Sequence, residues 1–225
     1  MEHRTSTPLA RTRYGAVGVA LAPSLLLYVV LAHPFIARIP DADAVAHGVH
    51  AGPTWWGIVH LLTTVASALV ALAFLAIRAF LRDAGEERFS AWALPFVIVG
   101  SALYGLLPGL EFAPMAAAIT GADAAAAQAA LKPWFIVILA TSALLFAIGI
   151  VGFARAVAAV RVLSRPLTRL VVAALLVWAA ARFVPLGVVQ FYVQGVAAIL
   201  ALWPLALRMW RGPVPAHART ASLVA

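Results

Sequence analysis

The sequence predicts an all-α, polytopic membrane protein: a bundle of six transmembrane helices with both termini on the cytoplasmic side. Three observations carry that prediction. Hydrophobic residues fill 64% of the 225 positions and charged residues only 11%, against roughly 45–50% and about 25% in a soluble domain. Apolar runs long enough to cross a bilayer, about 20 residues each, recur along the chain, whose mean hydropathy is +1.01. Arginines fall in alternate connections between those runs, as topology in a membrane demands.

The first helix is expected over 14–35, behind a cytoplasmic tail (1–13) carrying Arg4, Arg11 and Arg13. Basic residues before an apolar run also describe a signal peptide, with small residues around 42–46 imitating a cleavage site. This run exceeds the 7–15 residues of a signal core, however, and reads as an uncleaved helix. Helix 2 is expected over 54–80, opened by Trp55 and Trp56. Helix 3 covers 90–112, with Trp92 near its start and Pro95 and Pro108 inside, whose freed carbonyls need neighbouring helices to cover them. Helix 4 is expected over 133–156, with Pro133 at a favourable first-turn position. Helices 5 and 6 are expected over 167–185 and 187–210, joined through Pro185-Leu186-Gly187 as a tight antiparallel hairpin. The tail 211–225, with Pro213 and Pro215, is expected to be disordered. The six helices make one domain (14–210).

Counting lysine and arginine in the connections gives thirteen on one side and two, Arg38 and Lys132, on the other, with Arg182 left inside helix 5. Positive charge marks the cytoplasmic side, so the inner membrane and an N-in, C-in topology are expected. The same pattern accounts for the net charge of +8. The basic residues flank apolar runs singly, without a surface that tracks a phosphate backbone, so nucleic acid is not an expected partner. The expected surroundings are the lipid bilayer, with a membrane-protein partner or a second copy of the chain. The absence of cysteine excludes disulfides, thiolate metal sites and covalent c-type haem attachment.

Two outer connections hold more than turns. The 36–53 connection is read as a loop containing Asp41, Asp43, His47 and His50. The 113–132 connection offers Asp123 as an N-cap ahead of an alanine-rich run, predicting a short surface helix over 124–131. Within the helices, polar residues gather toward the outer end and repeat at helical spacing, which puts each set on one face. His60, Thr64 and Ser67 share a face of helix 2, and Ser101, Tyr104, Pro108 and Glu111 a face of helix 3. Trp178 and Arg182 share one in helix 5, and Gln190 and Gln194 one in helix 6. Such faces are costly against lipid and should turn inward, forming a cluster of His60, Thr64, Ser67, Tyr104, Glu111, Arg182, Gln190 and Gln194.

The chemistry this suggests is limited. His33, His47, His50, His60 and Glu111, with the loop aspartates, supply donors suited to a divalent metal such as zinc, but no HExxH-type signature accompanies them. Glu111 and Arg182 would offset each other's insertion cost as an interhelical ion pair. His33 and His60 are the pair available to a b-type haem, with nothing else in support. Gly100-Ser101-Ala102 lacks the GxSG pattern of intramembrane serine proteases. Gly105-x3-Gly109 and Gly152-x3-Ala156 allow close helix packing, expected within the monomer. Trp55, Trp56, Trp92, Trp134, Trp203 and Trp210 are expected in the interfacial belt. With no catalytic motif, the sequence favours a non-enzymatic membrane component over a small permease or ion-coupled carrier using Glu111 and Arg182, and over an outer-leaflet, metal-dependent membrane enzyme.

Overall fold

The computed structural model describes residues 8–212, with side chains from Ala10 onward. Most of the expected 211–225 tail and the outer part of the 1–13 tail, with Arg4 and Arg219, lie outside the described residues. The described chain is all helical apart from its connections, in which Arg38 and Leu186 form an isolated β-bridge. Eight α-helices follow in order: α1 (Pro8–Ala32), α2 (Ala42–Ala51), α3 (Pro53–Asp83), α4 (Phe89–Leu110), α5 (Phe112–Ile119), α6 (Ala124–Val160), α7 (Arg165–Ala181) and α8 (Gln194–Trp210). A π-helical turn, Val188–Val193, leads into α8.

Five helical stretches are long and apolar enough to cross a membrane: Ala10–Ala32, Pro53–Asp83, Phe89–Ile119, Ala124–Val160 and Val188–Trp210. The six longest helices close into a ring in chain order. α1 packs on α3, α3 on α4, α4 on α6, α6 on α7, α7 on α8, and α8 returns to α1. Outside, the ring shows lipid-compatible side chains such as Leu21, Leu61, Leu72, Val99, Leu144, Val177 and Leu200. Inside, its middle is filled by aromatic rings. Phe74 packs on Phe153 with centroids 4.8 Å apart, and Phe146 on Trp178 at 5.1 Å.

Apolar lipid leaves helices little hydrophobic reason to associate, so close packing must hold them together. The α4–α6 contact shows how. A Cβ on Gly100 would sit 2.7 Å from the backbone nitrogen of Phe146, and one on Gly149 would sit 2.8 Å from that of Val97. On Gly152 it would meet the Ala93 side chain at 2.5 Å, and Gly105 faces Ser67 and Thr64 of α3. Gly105 and Gly152 thus serve packing within the chain, while a Cβ on Gly109 would meet nothing.

The two ends of the ring differ. At one, α2 and α5 lie over the bundle and against α6. The 36–53 connection, read from sequence as a loop, contains α2 because Asp41 caps it: its carboxylate accepts the Ala44 N–H at 3.0 Å, and Val45, Gly48 and Val49 turn inward. Asp123 does cap a helix, accepting from Ala126 at 2.9 Å. That helix does not stop before Pro133 but runs on to Val160 as 37 residues, about 56 Å at 1.5 Å per residue. Pro133 forfeits one hydrogen bond, to the Ala129 carbonyl, and the rest of the ladder carries the helix through. The α7–α8 connection is longer than the expected turn, because α7 ends at Ala181. It is strapped to the α1–α2 connection: Gly187 N–H donates to the Ala37 carbonyl at 2.9 Å and Ile39 N–H to that of Pro185 at 3.3 Å. A Cβ on Gly187 would fall 1.8 Å from the Ile36 oxygen, so only glycine fits the crossing.

The opposite end carries most of the described arginines. Arg11 meets Asp83 at 3.4 Å, Arg208 donates to the Val162 carbonyl at 3.0 Å, and Arg13 lies 5.6 Å from the Trp210 ring centre.

Candidate functional site: a polar chamber under the α2 cap

The inward faces expected from spacing are buried. His60, Ser67, Ser101, Tyr104, Glu111, Arg182, Gln190 and Gln194 are each at most 9% exposed, and Thr64 is half-buried. His60, Tyr104, Glu111 and Gln190 line one cavity, where a carboxylate group and an arginine group meet, and the hydroxyls of Thr64, Ser67 and Ser101 lie outside its lining.

The carboxylate group forms where α3, the α4–α5 junction and the start of α6 meet. Glu111, on the junction, lies with Oε2 3.5 Å from His60 Nε2 of α3. Its Oε1 accepts from Gln128 Nε2 at 3.3 Å. Gln128 is 2% exposed and was not anticipated; a lone glutamine in an alanine run was the available signal. His60 Nδ1 approaches the Trp56 carbonyl at 2.7 Å, and a carbonyl only accepts, so this nitrogen carries the proton. His33, just past α1, repeats the arrangement with Nδ1 2.6 Å from the Pro34 carbonyl, and its ring centre lies 5.0 Å from that of His60. Trp56 stacks on His60 at 4.4 Å and is fully buried beneath α2, where Gly48 leaves it room. It therefore belongs to the site and not to the interfacial belt; Trp55, Trp92, Trp134, Trp203 and Trp210 stay exposed.

His33, His60 and Glu111 border a cavity of about 80 Å³ inside the capped end of the ring. Its polar lining is His33, Asp41, His60, Thr63, Tyr104, Glu111 and Gln190, and its apolar walls include Val29, Leu107, Phe135 and Phe191.

The arginine group lies alongside. Arg182 does not pair with Glu111 as the sequence suggested. Its Nε donates to Gln194 Oε1 at 3.0 Å, and its guanidinium lies 3.6 Å from the Phe146 ring centre and 4.2 Å from that of Tyr104. Aromatic faces and an amide stabilise this charge in place of a carboxylate. Gln194 Nε2 donates to Tyr104 Oη at 3.2 Å and to the Gln190 carbonyl at 2.6 Å. The π-helical turn brings Gln190 to the cavity and Gln194 to the arginine.

One deeper hydroxyl joins two helices. Thr64 Oγ1 donates across to the Gly105 carbonyl at 3.2 Å, tying α3 to α4. Ser101 is fully buried and its hydroxyl meets no partner, so nothing activates it as a nucleophile. His47 and His50 are exposed on the outer face of α2, away from His33, His60 and Glu111, because the inward positions of that helix are Val45, Gly48 and Val49. Among the described residues no group of three His, Asp or Glu side chains is placed to hold a metal ion. Asp41, read from sequence as a metal donor, acts as a helix cap at the cavity rim. No protein-family model, curated protein or solved structure matches this chain.

Proposed function

We propose that the chain is a six-span integral membrane protein of the bacterial inner membrane, both termini cytoplasmic. In this reading it is a non-enzymatic component that presents a small polar chamber at the outer leaflet. The observation that carries the reading is the division of the bundle: buried polar groups collect under the α2 cap, while Phe74, Phe146, Phe153 and Trp178 fill the middle. Arg78, Arg82, Arg88, Arg155, Arg161, Arg165, Arg169 and Arg208 belong to the other half of the helices and their connections, which supports placing that end in the cytoplasm. α7 has 17 residues, about 26 Å of helix, and its place in the ring supports counting it as the sixth span. A carrier is the second reading, favoured by the buried His60–Glu111 contact.

The lack of cysteine makes the topology directly testable. Single variants Ala122→Cys, Glu87→Cys and Arg211→Cys, all at exposed positions, would be treated with a membrane-impermeant maleimide. Intact cells with a permeabilised outer envelope should label Ala122→Cys alone, and the other two should react only after lysis. Labelling of Glu87→Cys in intact cells overturns the orientation. Labelling of Arg211→Cys alongside Ala122→Cys removes α7 as a span.

A further inference from the structure

The hydrogen-bonding inventory of the chamber is one-sided. The Nδ1–H groups of His33 and His60 are committed to backbone carbonyls. The Thr63 hydroxyl donates to Val59 O at 2.8 Å, and Gln190 Nε2 donates to Arg182 O at 3.3 Å. What remains for an occupant is mainly acceptors: the Nε2 of each histidine whose Nδ1 carries the proton, Gln190 Oε1 and the Glu111 carboxylate, beside the second N–H of the Gln190 amide. Tyr104 supplies the one uncommitted hydroxyl proton, since its oxygen accepts from Gln194. Two carboxyl groups, Asp41 and Glu111, line the space, and no lysine or arginine does.

Glu111 Oε2 is the centre of this imbalance. It is buried and accepts no hydrogen bond within the protein. His60 Nε2 lies nearest, at 3.5 Å, and no hydrogen bond joins the two. A buried carboxylate oxygen left in that state is costly, and a cation carrying several N–H donors would relieve it. The size restricts that cation. A cavity of about 80 Å³ exceeds what a single water needs and has room for a small cation. Phe135 and Phe191 add aromatic lining, and Leu107 and Val29 add surface for a methyl group.

We propose that the chamber under α2 is a binding site for a small ammonium ion, ammonium itself or methylammonium, held by Glu111 and His60 with His33 as a further acceptor. The occupant donates N–H bonds to Glu111 Oε2 and His60 Nε2 and directs any methyl group to the apolar wall. The site goes beyond the topology proposed above and does not depend on it; the cysteine labelling reports that topology separately.

The test is isothermal titration of the full chain in nanodiscs with methylammonium chloride, sodium chloride or tetramethylammonium chloride at constant ionic strength. Methylammonium should bind saturably, and neither sodium nor tetramethylammonium, which lack N–H donors, should do so. Glu111→Gln preserves the shape and the Gln128 contact but removes the charge, and should weaken binding at least tenfold. Leu139→Phe, on the chamber wall, should block binding by bulk without touching a polar group, a second route should Glu111→Gln fail to fold. No saturable heat with the wild-type chain overturns the proposal. So does equal binding of sodium or tetramethylammonium, or unchanged methylammonium binding in a folded Glu111→Gln or Leu139→Phe.

Discussion

Glu86 stands in the short connection between α3 and α4, where its carboxylate accepts the backbone N–H groups of Phe89 and Ser90 at the start of α4. Arg88, at the formal cap position, supplies no side-chain cap, so Glu86 does that work from two residues upstream. Burial works to raise its pKa, but hydrogen bonds from Ser90, Phe89 and Arg88 outweigh it and hold the group below its ordinary 4.5. A carboxyl with a depressed folded-state pKa contributes stability that is complete above the ordinary value and is lost as pH falls through the folded value. Glu86→Gln should therefore lower stability at pH 7 by about 0.5–2 kcal/mol, the range for a lost helix cap. Thermal midpoints of the two proteins in detergent should converge as the pH drops below the carboxylate range; a gap that stays constant with pH sinks the assignment. At this scale the sequence is legible in depth and illegible in azimuth. Spacing put Glu111 and Arg182 near the same end and facing inward, and both side chains are buried. It could not say that His60 would face Glu111, or that Phe146 and Tyr104 would sandwich Arg182, because those contacts depend on how each helix is rotated.

Among the elements, the α4–α6 pair is where packing is tightest, and its glycines explain why. Gly149→Ala places a methyl group against the Val97 backbone, which cannot rotate away as a flexible side chain could. Overpacking of this kind costs about 1–3 kcal/mol, so the variant should melt earlier than wild type. Gly109→Ala is the control: its new Cβ meets nothing, and helix propensity alone makes it neutral or slightly stabilising. Equal destabilisation by both substitutions would mean that Gly109 also lies in an interface, for instance with a second copy. The long apolar runs made the main helices readable, since length and hydropathy are local properties. α2 was not readable because ten residues with an aspartate and two histidines resemble a polar loop until Asp41, just before them, is recognised as a cap. The run of α6 through Pro133 was obscured for the opposite reason: proline is a good start signal, and only the surrounding α2 and α5 contacts give the preceding turns something to pack on.

For the whole molecule, the question is whether the chamber is a terminus or one stop on a path. A carrier must expose its site alternately to both sides, which here requires parting the ring below the chamber. Three features oppose that movement. Phe74, Phe146, Phe153 and Trp178 pack ring against ring across the middle, with Phe74 and Phe146 edge-on at 6.3 Å. Arg182 rests on Phe146, so separating that layer would also strip a buried charge of its aromatic support. The glycine contacts lock α4 to α6, leaving no loose seam between them. Liposomes containing the protein should consequently take up radiolabelled methylammonium no faster than empty ones, whose uptake reports the background of the permeant free amine. Removing the layer by Phe146→Ala should lower the melting temperature, with a core-cavity cost of about 3–5 kcal/mol, before it creates any flux. Saturable uptake by the wild-type chain that disappears in Glu111→Gln would reverse the conclusion: the ring would then open, Glu111 would be a transport site, and the aromatic layer would be its gate.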